Sequence, residues 1–102
     1  CLVMADISSF EEAEAAMISG ADVVSTTLSG YTDYTPKLDG PDLDLVREIA
    51  SKLALPVFAE GRYHYPHEIV TAFENGATAV IVGGAVTRPK EITERFVRAI
   101  RK

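Results

Sequence analysis

The chain is 102 residues long, which suits one domain with a modest core, and its 47% hydrophobic and 25% charged content exclude an intrinsically disordered protein. A net charge of −5 argues against nucleic acid as a partner, because basic residues gather only near the end, at residues 90–102. With one cysteine, no metal-ligand spacing, no signal peptide and no apolar run that could span a membrane, the chain is expected to be cytoplasmic, without a metal or membrane partner.

The first predicted elements are a strand, a helix and a second strand. Residues 2–5 form a brief apolar run that is typical of a buried parallel strand. Serines at residues 8–9, each followed three residues later by glutamate, predict the start of a helix that runs to about residue 19. Residues 23–27 are rich in β-branched side chains, which predicts the second strand. The chain starts at Cys1, almost directly on the first strand, and we expect this beginning to have been cut from something longer.

A long loop separates these elements from the next pair. Residues 29–41 carry two glycines, two prolines and two tyrosines, and loops of this length are often functional. A helix is predicted to open at residues 41–42, because large apolar side chains then recur at three- and four-residue steps. The third strand is predicted at residues 56–59.

The last predicted elements are a helix over residues 66–76, a strand at residues 79–82 and a helix that opens at residues 87–89. The chain would therefore alternate four strands with four helices. Four apolar side chains of the final helix are expected to face inward: Ile92, Phe96, Val97 and Ile100.

The order of elements repeats within the chain. Residues 3–6 (VMAD) match residues 57–60 (VFAE), and a segment ending in Gly-Ala follows each. A repeated strand–helix unit predicts an α/β fold of four parallel βα units, half of a (β/α)8 TIM barrel, with residues 1–102 in a single domain. One sheet face and two strand edges of such a half-barrel would be uncovered, so we expect it to pair with a missing N-terminal half or with a second copy of itself.

Polar residues stand where the predicted strands end, the position that faces the active site in TIM barrels. Glu60 is the strongest candidate for acid or base chemistry, and its alternative role is an ion pair with Arg62. Asp6 holds the equivalent place in the first unit, although it could simply cap the next helix. Thr26 offers a hydroxyl to a ligand or fills the barrel interior.

A second group of residues is suited to binding an anion. Gly83 and Gly84 follow the last strand, where backbone N–H groups often hold phosphate in barrels, although a tight turn would also favour them. Arg88, just before the final helix, adds a positive charge. Gly61 could supply a further amide, and Arg62 is assigned with it to substrate or phosphate binding.

Four motifs, in order and with fitting spacing, closely resemble those of bacterial N-acetylmannosamine-6-phosphate 2-epimerases. They are residues 4–8 (MADIS), 26–32 (TTLSGYT), 59–62 (AEGR) and 82–93 (VGGAVTRPKEIT). The resemblance covers the whole chain but only the C-terminal half of that family's barrel, its strands five to eight.

The resemblance implies a cofactor-independent isomerase of sialic acid catabolism. It would interconvert N-acetylmannosamine 6-phosphate and N-acetylglucosamine 6-phosphate by removing and returning the proton at C2. It places the family's second-half acid/base carboxylate on Glu60, its other active-site carboxylate on Asp6, and its phosphate-binding arginine on Arg88 beside Gly83 and Gly84. The family's catalytic lysine and a further arginine belong to the first half, so the isolated chain is expected to carry half a site and to be inactive.

Two alternatives remain open at this stage. The chain could be a non-catalytic half-barrel that binds phosphate or associates with itself, as the missing lysine would favour. It could also belong to another phosphate-binding barrel of tryptophan or histidine biosynthesis, although the run at residues 26–32 argues against this.

Overall fold

The computed structural model describes residues 1–101 and contains one four-stranded parallel sheet. Lys102, the last residue of the predicted basic segment, lies outside the described residues. The strands are β1 (Met4–Asp6), β2 (Val23–Ser25), β3 (Val57–Glu60) and β4 (Ala79–Ile81), and the helices are α1 (Phe10–Ile18), α2 (Leu43–Lys52), α3 (Pro66–Glu74), α4 (Gly84–Thr87) and α5 (Pro89–Ile100). Within residues 1–101, no helix combines the length and apolar character needed to cross a bilayer.

The sheet has the simple order β1-β2-β3-β4, as in one half of a (β/α)8 barrel. Val24 pairs with Val57 and Ser25 with Phe58, so the ends of β2 and β3 lie side by side. Glu60 in turn pairs with Ile81 of β4. The predicted fold class is confirmed, and the carboxyl ends of the four parallel strands lie along one edge.

The core lies on one face of the sheet, between the strands and the helices. Val24, Val57 and Ala59 point to this face and are buried against Val46 and Ile49 of α2. Because side chains alternate along a strand, Phe58 and Glu60 point to the opposite face. That face is open: Met4 of β1 is 45% exposed.

The C-terminal region differs from the prediction in two ways. Residues 84–86, predicted as loop, form with Thr87 the extra short helix α4, close after β4. The inward orientation predicted for the final helix was wrong: Phe96 is 69% and Ile100 83% exposed, and α5 contacts mainly α4. The physical reason is that α5 follows β4 at the edge of the sheet, and residues 1–101 contain no further strand beside β4 to cover its apolar side.

Candidate active site

The edge of the sheet where the strands end opens onto a cleft of ≈ 330 Å³. Six of the eight residues selected from the sequence line it: Glu60, Gly61, Arg62, Gly83, Gly84 and Arg88. They come from the end of β3, from the turn that follows it, and from the segment after β4 that contains α4. The structure therefore brings the candidate carboxylate and the candidate anion-binding turn to the same cleft.

Glu60 ends β3, and two hydroxyl groups at the end of β2 hold its side chain. Ser25 Oγ donates to Glu60 Oε1 over 2.9 Å, and Thr27 Oγ1 donates to the same oxygen over 2.7 Å. The two hydroxyl oxygens lie 2.6 Å apart. Hydrogen bonds to a charged acceptor are the stronger kind, so this carboxylate is fixed at one of its two oxygens.

Thr26 holds the backbone of the same glutamate. Its hydroxyl donates to the Glu60 carbonyl and accepts from the Glu60 N–H, each over 3.0 Å, and Thr26 is buried. These contacts extend the pairing of β2 and β3 past the end of β2. Thr26 therefore helps to position Glu60, and a direct contact of its hydroxyl with a ligand stays a prediction.

Asp6 lies at the end of β1, outside the lining of the cleft. Its carboxylate is exposed, and Thr27 Oγ1 lies 3.4 Å from Asp6 Oδ1. Asp6 does not cap the following helix, because Ser9 does so by accepting from the Glu12 N–H over 3.2 Å. Thr27 thus stands between the two carboxylates that the sequence selected.

Arg62 follows Glu60 by two residues but reaches away from it. Within residues 1–101 the two form no ion pair. Arg62 Nε instead donates to the carbonyl of Gly40 over 2.7 Å, and the guanidinium lies 4.7 Å from the ring centroid of Tyr31. Arg62 therefore fastens both ends of the long loop to the wall of the cleft.

The backbone at this turn is strained to allow that contact. Gly61 and Arg62 have φ of +107° and +61°, and the second is uncommon for a residue with a side chain. Gly30 is needed opposite, since a Cβ there would lie 2.8 Å from both terminal nitrogens of the Arg62 guanidinium. Strain of this kind often marks a functional turn.

The anion-binding candidates form the far side of the cleft. Gly83 leads from β4 into α4, and the first N–H groups of a helical turn have no partner within it. Arg88 directly follows α4 and is exposed, with Nη1 3.0 Å from Oε1 of Glu91. This exposed ion pair is weak and leaves the guanidinium free to exchange partners.

Tyr63 packs beneath the cleft and is 4% exposed. Burial, together with the negative charges of Asp42 and Glu68, raises the pKa of its hydroxyl to about 12. Among the described residues, 1–101, this hydroxyl is the buried side-chain polar atom without a hydrogen-bond partner. His64 also lines the cleft.

Sequence reasoning missed Ser25, which holds the candidate carboxylate. The alternation of side chains along β2 indicates that residues 25 and 27 share a face and that Thr26 lies on the other, but it does not show that this face meets Glu60. Within residues 1–101, no three histidine, cysteine or acidic side chains are grouped so as to hold a metal ion. The chemistry available is that of a fixed carboxylate facing a turn suited to an anion.

The sequence matches a protein-family model over residues 1–102, and that model is described as "Putative N-acetylmannosamine-6-phosphate epimerase" (NanE). The chain belongs to this epimerase family. A curated N-acetylmannosamine-6-phosphate 2-epimerase of Caldanaerobacter subterraneus subsp. tengcongensis is 55% identical over 101 residues. Another, from Clostridioides difficile, is 52% identical over 99 residues. The full name that both relatives carry is "Putative N-acetylmannosamine-6-phosphate 2-epimerase".

A solved structure shows the same architecture. It is the N-acetylmannosamine-6-phosphate 2-epimerase of Clostridium perfringens, which superposes with a TM-score of 0.91 at 46% identity. The match covers 96% of this chain and 43% of that epimerase. The same proportion holds for the curated relatives: 99% of this chain matches 43% of the first, and 97% matches 44% of the second. The chain therefore spans less than half the length of its relatives.

Proposed function

We propose that this chain supplies the C-terminal half of an epimerase that interconverts N-acetylmannosamine 6-phosphate and N-acetylglucosamine 6-phosphate in sialic acid catabolism. The observation that carries the proposal is the shared cleft, in which Glu60 faces the Gly83-Gly84 turn. An enzyme that epimerises a sugar phosphate needs an anion site for the phosphate and a proton-transfer group near the carbon whose configuration it inverts. Membership of the epimerase family supports the choice of substrate.

The proposed reaction inverts the configuration at C2. When the sugar ring opens, C1 becomes an aldehyde, and the neighbouring C2 proton becomes acidic enough for a positioned side chain to remove. The C2–H bond breaks, its electron pair is delocalised onto the aldehyde oxygen, and a proton then returns to the opposite face. Glu60 serves this transfer together with a lysine from the N-terminal half, or orients the sugar hydroxyls. This scheme uses no cofactor.

The remaining residues bind the substrate. Gly83 and Gly84 offer backbone N–H groups to the phosphate, and Arg88 approaches it when its exposed contact with Glu91 opens. Asp6, joined to the Glu60 cluster through Thr27, positions the sugar from the edge of the site. Gly61 and Arg62 form the wall between the carboxylate and the long loop.

The proposal includes an N-terminal half-barrel that completes the site. The open face of the sheet and the exposed apolar side of α5 need a partner surface, and the relatives are more than twice as long. A second copy of this chain is the other candidate partner. Alone, the chain is proposed to be inactive. A cytoplasmic location is also proposed, because phosphorylated sugars do not diffuse across membranes.

The test uses a complete barrel, meaning this chain joined to four preceding βα units, either its own or those of the Caldanaerobacter relative. Glu60→Gln keeps the shape of the side chain but removes its acid/base function. We expect turnover to fall by about a hundredfold or more, with a much smaller change in substrate affinity. Glu14→Gln, on the exposed side of α1, is the matched control and should change neither. An unchanged turnover number for Glu60→Gln would remove this residue from the mechanism.

A non-catalytic half-barrel is the second candidate, and the open sheet face favours it for the isolated chain. Mixing the chain with a separately produced N-terminal half and assaying epimerisation distinguishes the two. Recovery of activity supports the epimerase. A stable homodimer that stays inert in the mixture supports the half-barrel that binds phosphate or itself.

A further inference from the structure

Three oxygen atoms meet at the end of β2 and β3: Oγ of Ser25, Oγ1 of Thr27 and Oε1 of Glu60. Their separations are 2.6, 2.7 and 2.9 Å, so each pair is within hydrogen-bond distance. We propose that the two hydroxyls form a positioning device that holds Glu60 by one oxygen and adapts to both of its protonation states. This inference rests on the proposed function, since it concerns the carboxylate assigned to proton transfer.

A count of hydrogens explains why two hydroxyls are suited to this role. An ionised glutamate only accepts, so the two hydroxyl hydrogens serve two of the three contacts. A protonated glutamate can still accept at both oxygens, and each hydroxyl can rotate to donate or accept. The cluster therefore loses little when Glu60 gains a proton. A lysine or arginine in the same place would stabilise the ionised form alone.

The arrangement also selects which oxygen meets the substrate. Within residues 1–101, the hydrogen bonds to the Glu60 side chain fall on Oε1. Oε2 is thus left for the cleft that Glu60 lines. With Thr26 fixing the backbone on the other side, the carboxylate is held in one orientation from two directions. Fixed placement of a proton-transfer group is worth large factors in rate.

Thr27 has one additional acceptor within reach, Asp6 Oδ1 at 3.4 Å. When Glu60 is protonated and needs fewer donors, the Thr27 hydroxyl can turn toward Asp6. Ser25 is buried and lacks this second acceptor among its hydrogen bonds in residues 1–101. Thr27 should therefore matter more for turnover than Ser25, although both contact Glu60.

The experiment compares Thr27→Val, Thr27→Ser, Ser25→Ala and Glu60→Gln in the complete barrel. Valine matches the shape of threonine without the hydroxyl, and serine restores the hydroxyl without the methyl group. The matched controls are Thr78→Val and Ser51→Ala, at exposed positions away from the cleft. Both kcat and KM are measured with N-acetylmannosamine 6-phosphate, and thermal unfolding of each variant identifies any that fails to fold.

We expect Thr27→Val to lower kcat by about tenfold to a hundredfold, the range expected when a hydrogen bond to a charged group is lost, with KM nearly unchanged. Ser25→Ala should have a smaller effect in the same direction, and Thr27→Ser should restore most of the turnover. A purely structural role would instead lower the unfolding temperature and leave kcat of the folded fraction intact.

Two results would overturn the inference. If Thr27→Val and Ser25→Ala both keep the kcat of the unsubstituted barrel while Glu60→Gln loses it, the hydroxyls do not position the carboxylate, although the proposed function stands. If Thr27→Ser is as impaired as Thr27→Val, the methyl group rather than the hydroxyl is important. Failure of the proposed function looks different, because Glu60→Gln would then also keep its turnover.

Discussion

Gly20 and Gly76 occupy equivalent positions in the internal repeat, and they predict different responses to the same substitution. Each follows the C-cap of its helix with a left-handed φ, +99° at Gly20 and +104° at Gly76. A Cβ added at Gly20 would meet nothing within 4 Å, whereas one at Gly76 would lie 2.6 Å from the Cβ of Ala50. The pair therefore separates backbone strain from steric conflict.

The magnitudes follow from these two costs. Alanine in the left-handed region costs about 1–2 kcal/mol, which applies to both Gly20→Ala and Gly76→Ala. At Gly76 the ends of α3 and α2 must also separate, and overpacking of this kind costs about 1–3 kcal/mol more. We therefore expect a loss of about 1–2 kcal/mol for Gly20→Ala and about 2–5 kcal/mol for Gly76→Ala.

The assay is urea unfolding of the complete barrel followed by circular dichroism, with the free energy of unfolding taken from midpoint and slope. Ala50→Gly provides an internal check, since it removes the conflicting Cβ. The double variant Ala50→Gly with Gly76→Ala should lose less stability than the sum of the single variants. Equal losses for Gly20→Ala and Gly76→Ala, with additive behaviour of the double variant, would refute the steric reasoning.

Two further predictions concern buried or coupled side chains. Tyr63→Phe removes the unpartnered hydroxyl and should raise the free energy of unfolding, measured by urea unfolding, by about 1 kcal/mol. The control Tyr31→Phe, in which the ring is exposed, should change it little. A lower free energy of unfolding for Tyr63→Phe would mean that the hydroxyl has a hydrogen-bond partner. Hydrogen bonds from Ser8 and Tyr34 lower the pKa of Glu12 below 4.5. The stability that these bonds give to the folded protein is therefore fully present above pH 4.5 and is lost as the pH falls through the folded-state pKa. The stability difference between the unsubstituted protein and Tyr34→Phe, followed by urea unfolding, should therefore shrink below pH 4.5; a constant difference down to pH 3 would contradict this origin.

The sequence was sufficient to predict the fold because the informative patterns are local. Short apolar runs end at Asp6 and Glu60, and the two Gly-Ala segments mark where α1 and α3 stop. The same reasoning placed Glu60 and Gly83 on one edge, since parallel strands end together. These predictions needed only the alternation of strands with helices.

Other features depend on contacts between distant residues and could not be predicted. The bonds from Ser25 and Thr27 to Glu60 require the register of β2 against β3, which periodicity does not specify. Arg62 reaches Gly40 from a backbone in the left-handed conformation. An arginine in a sequence does not predict that conformation. The exposure of α5 depends on which elements pack against it, and periodicity within the helix does not specify them.

The distribution of contacts divides the chain into a part held by its own contacts and a part whose apolar side chains are exposed. Glu60 is held by residues of β2, and Arg62 by the loop that follows β2, so the carboxylate side of the cleft is formed within two adjacent βα units. The turn at Gly83 and Gly84 leads instead into α4 and the exposed α5, whose apolar side chains lack a covering surface within residues 1–101. Joining the N-terminal half should therefore stabilise α5 and the anion-binding turn much more than the Glu60 cluster. Hydrogen exchange would show this as slower exchange in residues 83–100, with little change at residues 57–60.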